Sequence, residues 1–422
     1  MTAVFDDPSL RGLTGHAAIG HVRYSTTGAN KWDNAQPLAR PREGDIVTLG
    51  HNGNLTNSAE LRDELTAGGE AFDATSDSEL IAALLASEPG SLLAAAGAIM
   101  PRISGAYSVV AMSRDEVIAF RDPHGIRPLV IGQLDGGMCA ASETCALEQI
   151  GGEFVREVEP GEVVRIRPTA VESLQAEKTA SRGLCVFEHI YFARPDSVLD
   201  DRSVWESRRE MGAVLAGESA PEADLVMGLP DSGTPAAIGF AGESGIDYAE
   251  GVVRNRYVGR SFIQPDQDLR RQGVRLKFNP LPGVIRGKRI VVVDDSIVRG
   301  TTMSQIVQML REAGAAEVHL RISSPPILWP CFYGIDMATR DQLMAANRSI
   351  TQMAEDFGAS SLAYLSLEGL QAALGRPAGN YCRACLTGEY PVPPPENGVA
   401  ASACGTLEDD SPRAGNGEPV RS

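Results

Sequence analysis

Two rhythms of apolar and polar positions divide the chain. Up to about residue 170, short apolar runs at 17–22, 46–49, 107–112 and 117–120 are separated by Gly, Pro and Asn, and this spacing predicts mainly β-strands. Two stretches break the pattern. Leu80, Ile81, Leu84 and Leu85 share one face of a helix predicted over 78–87, and a second helix is predicted over about 91–100. From about residue 171 strands and helices alternate: a helix near 204–216, a strand at 225–228, a turn at 230–233 and a helix from about 234 to 241. The clearest strand is Ile290-Val291-Val292-Val293, a continuous apolar run of the kind buried on both faces of a parallel sheet. Met303, Ile306, Val307 and Leu310 then recur at helical spacing, with Gly314 as the stop. A strand at 318–322, helices around 340–346 and 350–357, and an apolar run at 362–366 complete an alternation that implies a doubly wound parallel sheet.

A length of 422 residues with 43% hydrophobic content allows two cores. No apolar run approaches bilayer length, and residues 1–7 lack the basic flank and apolar core of a signal peptide, so no membrane partner is expected. A formal charge of -17 argues against nucleic acid and suits a cytoplasmic enzyme of small molecules. Seven cysteines, odd in number and scattered, argue against a disulfide framework. Residues 393–422 are rich in Pro, Gly, Ser and Glu and are expected to be a disordered tail.

Chemistry concentrates where the apolar strand ends, at Asp294 and Asp295, because open α/β sheets bind ligands beyond the carboxyl ends of their strands. The hydroxyl-rich stretch 296–302, with Gly300, opens a helix and suits a phosphate. Carboxylates beside a phosphate imply vicinal sugar hydroxyls or a bridging divalent metal, against the plainer reading of an acidic turn without a ligand. Arg254, Arg256, Arg260, Arg270, Arg271, Arg275 and Lys277 form a basic run in an acidic protein, which is otherwise a solvated surface. Polar clusters at 20–26, 51–55 and 75–79 read as turns and caps, with 76–79 capping the 78–87 helix. Cys382-Arg383-Ala384-Cys385 is ambiguous between redox, zinc and cluster ligation.

The string 289–302 resembles the phosphoribosyl pyrophosphate (PRPP) signature of type I phosphoribosyltransferases. The clusters 20–26, 51–55 and 75–79, with the strings 121–129 and 142–144, resemble the glutaminase domain of class-II, N-terminal-nucleophile amidotransferases. Taken together the chain resembles the amidophosphoribosyltransferase family, in its Bacillus-type iron–sulfur branch. The resemblance implies an α+β glutaminase domain over 1–170, incomplete at its start, and an α/β phosphoribosyltransferase domain over 171–392 that ends in a cluster-binding segment. It implies that Arg23, Thr26 and Asp77 bind glutamine, while Asn52 and the Gly53 amide form an oxyanion hole. It assigns PRPP to Asp294, Asp295, Ser296, Val298, Arg299, Gly300, Thr301 and Thr302, and to Arg256, Tyr257 and Arg260 of a closing loop. Mg²⁺ would sit at Ser232, Asp294 and Asp295. A [4Fe–4S] cluster would sit at Cys185, Cys331, Cys382 and Cys385, with zinc as the alternative.

The implied reaction makes 5-phosphoribosylamine and pyrophosphate from PRPP and glutamine-derived ammonia, opening de novo purine synthesis. Purine nucleotides would act as feedback inhibitors of a homotetramer. A non-catalytic PRPP-binding regulator is the alternative, but no basic DNA-binding extension supports it. Members of this class use a first-residue cysteine as nucleophile, whereas this chain begins Met1-Thr2 and has no cysteine before Cys139. Neither Cys139 nor Cys145 carries a free α-amino group, so the chain as written is expected to take ammonia rather than glutamine.

Overall fold

The computed structural model describes residues 12, 14–23, 32–178, 181–255, 276–337 and 339–395. Thr26, Arg256, Tyr257, Arg260, Cys404 and residues 396–422 lie outside the described residues. The first half carries β1 (Leu38–Arg42), β2 (Asp45–Leu55), β3 (Gly105–Met112), β4 (Val117–Arg121), β5 (Val130–Leu134), β6 (Gly137–Ala141), β7 (Glu153–Glu157), β8 (Glu162–Ile166) and β9 (Val171–Gln175). Six of these form an antiparallel sheet in the order β1-β2-β3-β4-β8-β9. Strand alternation sends Tyr107, Val109, Ile118, Phe120 and Val163 beneath the helices Ser58–Ala67, Ser78–Ser87 and Leu92–Ile99. Val110, Ala119 and Val164 point the other way, against Leu129, Ile131 and Val158 around the three-stranded sheet β6-β5-β7.

The second half carries β10 (Leu184–Cys185), β11 (Val198–Leu199), β12 (Arg202–Ser203), β13 (Leu225–Gly228), β14 (Val252–Arg254), β15 (Phe278–Pro280), β16 (Arg289–Asp294), β17 (Glu317–Ile322), β18 (Ser361–Tyr364) and β19 (Tyr381–Cys382). Its main sheet is parallel, in the order β13-β16-β17-β18. The four apolar residues of β16 are fully buried because they serve two cores at once. Ile290 and Val292 pack with Met303, Ile306, Leu310 and Phe357 on one side, while Val291 and Val293 pack with Met211, Leu215 and Phe240 on the other. Each such side chain contributes roughly 1.5–3 kcal/mol relative to exposure, so the strand is rigid where it presents its two acids.

Three expectations are corrected. Residues 17–22 form no strand; they are mostly exposed, with Val22 at 82%, and an apolar run without a partner strand gains no ladder. The cluster 51–55 is no turn, since β2 runs through it and pairs with β3 as far as Leu55 opposite Gly105. The helix over 340–346 is broken into a 3₁₀ turn Arg340–Gln342 and a short helix Met344–Asn347. Leu343 between them is fully buried in extended backbone, and the Met344 N–H donates to the Val298 carbonyl at 2.9 Å.

The halves share a core: Ala106 and Ile126 join the apolar cluster of Val186, Phe187, Phe332 and Tyr333. Polar contacts reinforce it. Asn54 Nδ2 donates to the Phe332 carbonyl at 2.9 Å, and Glu143 accepts from the Arg194 N–H at 2.8 Å and the Ser197 hydroxyl at 2.6 Å. Among the described residues no single helix is long and apolar enough to cross a membrane.

Candidate active sites

The parallel register of β13 and β16 sets Gly228 opposite Val293, so the turn after β13 meets the tip of β16. Ser232 thereby hydrogen-bonds Asp295, which also accepts from the Ser296 hydroxyl at 2.5 Å. The Asp295 N–H donates to Asp294 Oδ1 at 3.0 Å. Burial raises the pKa of both carboxyls, and for Asp294 the adjacent Asp295 charge adds to it. The two serines and the charge of buried Arg208 partly offset the rise at Asp295. Two crowded, buried acids with no cation between them among the described residues favour a ligand that brings hydroxyl donors or a hard cation.

Beyond the pair, Ile297 is buried and anchors the loop, while Arg299 Nε donates to Gln342 Oε1 at 3.2 Å. Gly300 takes φ +73° at the N-cap of the helix Thr301–Glu312, and a Cβ there would lie 2.2 Å from Met344 Sδ. Thr301 and Thr302 form the exposed first helical turn, so residues 296–302 surround a helix N-terminus. Arg254, at the end of β14, pairs with Asp231 in the turn before Ser232.

A second constellation lies on β2. Residues 21–23 run beside it, with His21 close to Gly50 and His51, and the charge of Asp77 acts on Arg23. Asp77 is expected to cap the 78–87 helix, but its carboxylate instead accepts the Leu55 N–H at 2.8 Å and lies 3.8 Å from His51 Nδ1. Burial lowers the His51 pKa, and burial with the neighbouring His51 and Arg23 takes that of His21 down to about 4. Gly53 has φ +148°, and a Cβ on it would stand 2.0 Å from the Ala106 carbonyl oxygen. Its other face meets the second half, because a Cβ at Gly334 would stand 3.0 Å from the Gly53 carbonyl.

Sequence reasoning missed Arg127, whose Nη2 donates to Asn52 Oδ1 at 3.0 Å. The cause is local. Asp122, fully buried, accepts the backbone N–H groups of Tyr107, His124, Ile126 and Arg127, and Arg121 donates to the carbonyls of Gly125 and Arg127. The loop closes on itself and turns the Arg127 side chain inward. Asp-Pro-His-Gly signals a tight turn, but no pattern in it says which way the next arginine points.

The four cysteines of the resemblance share one neighbourhood. Cys185 on β10 is the register partner of Cys382 on β19, Cys385 lies in the helix Ala384–Thr387, and Cys331 accepts the Tyr333 N–H at 3.4 Å. Burial raises all four thiol pKa values, that of Cys382 to about 12, and the neighbouring sulfurs raise those of Cys185, Cys382 and Cys385 further. Among the described residues no three His, Cys, Asp or Glu side chains are placed to hold a single metal ion.

Residues 21–149 match the model of the glutamine amidotransferase domain, and residues 222–323 match that of the phosphoribosyl transferase domain. Over 400 residues the chain is 49% identical to the amidophosphoribosyltransferase of Archaeoglobus fulgidus, spanning 94% of this chain and 88% of the relative. The chain belongs to the amidophosphoribosyltransferase family. It is 50% identical to the amidophosphoribosyltransferase of Synechocystis, across 94% of this chain and 81% of that one. The solved structure of the B. subtilis glutamine PRPP amidotransferase, complexed with ADP and GMP, superposes with a TM-score of 0.84 at 45% identity, covering 90% of this chain and 84% of that one. Amidophosphoribosyltransferases make 5-phosphoribosylamine and pyrophosphate from PRPP and glutamine-derived ammonia, the first committed step of purine synthesis. This chain is an enzyme of that reaction.

Proposed function

We propose that the corner 294–302 is where amidophosphoribosyl transfer occurs in this chain. The observation that carries the reading is the acid pair at the β16 tip, bound to Ser232 and followed by a loop that opens a helix N-terminus. Asp294 and Asp295 hold the ribose hydroxyls, and residues 296–302 hold the 5-phosphate with N–H and hydroxyl donors. Arg256, Tyr257 and Arg260, which lie outside the described residues, are assigned to the diphosphate, whose charge the two arginines would neutralise. Ser232, Asp294 and Asp295 offer the hard oxygens that would hold a Mg²⁺ ion, which would supply charge neutralisation for the departing pyrophosphate. Neutral ammonia needs no strong base, so the side chains position and neutralise rather than abstract a proton.

Arg23, Thr26 and Asp77 are assigned to glutamine, and Asn52 with the Gly53 N–H to an oxyanion. The closeness of Arg23, Asp77 and β2 supports the assignment. The register pairing of Cys185 with Cys382 and the closeness of the Cys331 and Cys385 sulfurs support a [4Fe–4S] cluster at the four thiols, with zinc as the alternative. Purine nucleotides act as feedback inhibitors, a reading supported by the ADP and GMP in the B. subtilis structure, and a cytoplasmic homotetramer is the assembly we propose with it.

Calorimetric titration with PRPP and Mg²⁺ tests the corner. Binding is expected for the chain as it stands and lost in Asp294→Ala/Asp295→Ala; unchanged binding in that variant overturns the assignment.

A further inference from the structure

Arg127 is 1% exposed, yet much of its guanidinium has no acceptor. Nη2 donates to Asn52 Oδ1, and the Phe192 ring covers one face at 4.6 Å from its centroid. Nη1 forms a buried ion pair with Glu188 Oε1 at 3.2 Å but off the hydrogen-bond direction, so Nη1, Nε and Glu188 Oε1 all lack a hydrogen bond. A buried donor without a partner costs roughly 1–3 kcal/mol, and more for a charged group. The surroundings point to what is missing. The Ile126 carbonyl, one residue before Arg127, accepts the Cys185 N–H at 3.0 Å, and the Arg127 charge acts on the Cys185 and Cys331 thiols.

We propose that Arg127 is a two-sided positioning residue: Nη2 fixes the amide oxygen of Asn52, while Nε and Nη1 donate to the anionic group held by Cys185, Cys331, Cys382 and Cys385. The proposal rests on the reading of those four residues as cluster ligands. A guanidinium only donates, so the atom Asn52 presents to it is the oxygen, and Nδ2 faces away from Arg127 as an oxyanion donor requires. Occupancy of the cysteine pocket and the orientation of Asn52 are thus joined through one side chain.

The test uses the full chain with iron and sulfide reconstituted anaerobically, comparing wild type, R127K and R127M. The readouts are iron and sulfide content, the rate at which visible absorbance bleaches in air, and the midpoint potential. R127M is expected to load, to bleach about tenfold faster and to show a lower midpoint potential, because the more negative reduced state loses a cation and charged hydrogen bonds. R127K keeps the charge without the planar fork and falls between. A loaded R127M that bleaches and titrates like wild type overturns the proposal alone. Should R127M not fold, an R127K equal to wild type in both readouts does the same. A wild type that takes up no iron or sulfide overturns the cluster reading and the proposal with it.

Discussion

Replacing Gly300 by alanine probes the PRPP corner without touching any proposed ligand atom. Two strains add. The backbone sits at φ +73°, a region that costs an ordinary residue roughly 1–2 kcal/mol. The new methyl would lie 2.2 Å from Met344 Sδ and 3.0 Å from Phe357 Cε1, and overpacking of this kind costs about 1–3 kcal/mol. Met344 is flexible and absorbs some of this, so about 2–4 kcal/mol is expected in total. That energy must appear as lost stability, as a displaced 296–302 loop, or as both. If the loop takes all of it, PRPP affinity falls about 30- to 900-fold. Urea unfolding and calorimetric titration with PRPP and Mg²⁺ together measure the sum. Gly136→Ala supplies the backbone term alone, because Gly136 has φ +84° and nothing within 4 Å of a Cβ. Met344→Ala in the Gly300→Ala background should relieve the clash and leave the backbone term. If Gly300→Ala binds and unfolds within about 0.5 kcal/mol of wild type, the link from helix N-cap to phosphate loop is wrong.

His189 is fully buried, and burial, with the charges of Arg202, Arg208 and Arg376, holds its pKa at about 4 against an ordinary 6.5. The unfolded chain therefore gains a proton near pH 6.5 and the native chain only near pH 4, so stability falls as pH drops between these values, by about 3 kcal/mol. His189→Phe should remove that part of the acid loss in urea unfolding at pH 7 and pH 4; an unchanged difference between the two would contradict the account. Asn54→Ala leaves the buried Phe332 carbonyl without its donor and is expected to lower unfolding stability by about 1–3 kcal/mol, and a loss below about 0.5 kcal/mol would show that the contact does not hold the halves together.

The legible parts of the fold were those whose signal is local. The run 290–293 announced a strand buried on both faces, and the helices at 78–87 and 301–312 carried their own apolar faces. What escaped depended on partners far along the chain. Whether 51–55 is a turn or a strand is decided by β3, about fifty residues later, and the exposed run 17–22 shows that apolar residues alone do not make a ladder. Leu343 split a predicted helix because a place in the core outweighed helical continuity. The same division holds for the sites. Asp294 and Asp295 were readable from chain order, but their bond to Ser232 follows from the β13–β16 register, and Asp77 answers the Leu55 N–H rather than its own helix. Arg127 was unreadable because its direction is set by the carboxylate of Asp122 and the carbonyls that Arg121 collects.

Gly334 presses on the backbone of Gly53 from the opposite half, where a Cβ would stand 3.0 Å from the Gly53 carbonyl, while a Cβ on Gly53 would strike Ala106 within its own half. That fit bears on inheritance and on engineering alike. A side chain at position 334 would push directly on the backbone of Gly53, so a hybrid enzyme given its second half from another lineage would disturb the glutaminase strand at this seam unless that half also brought a bare backbone there.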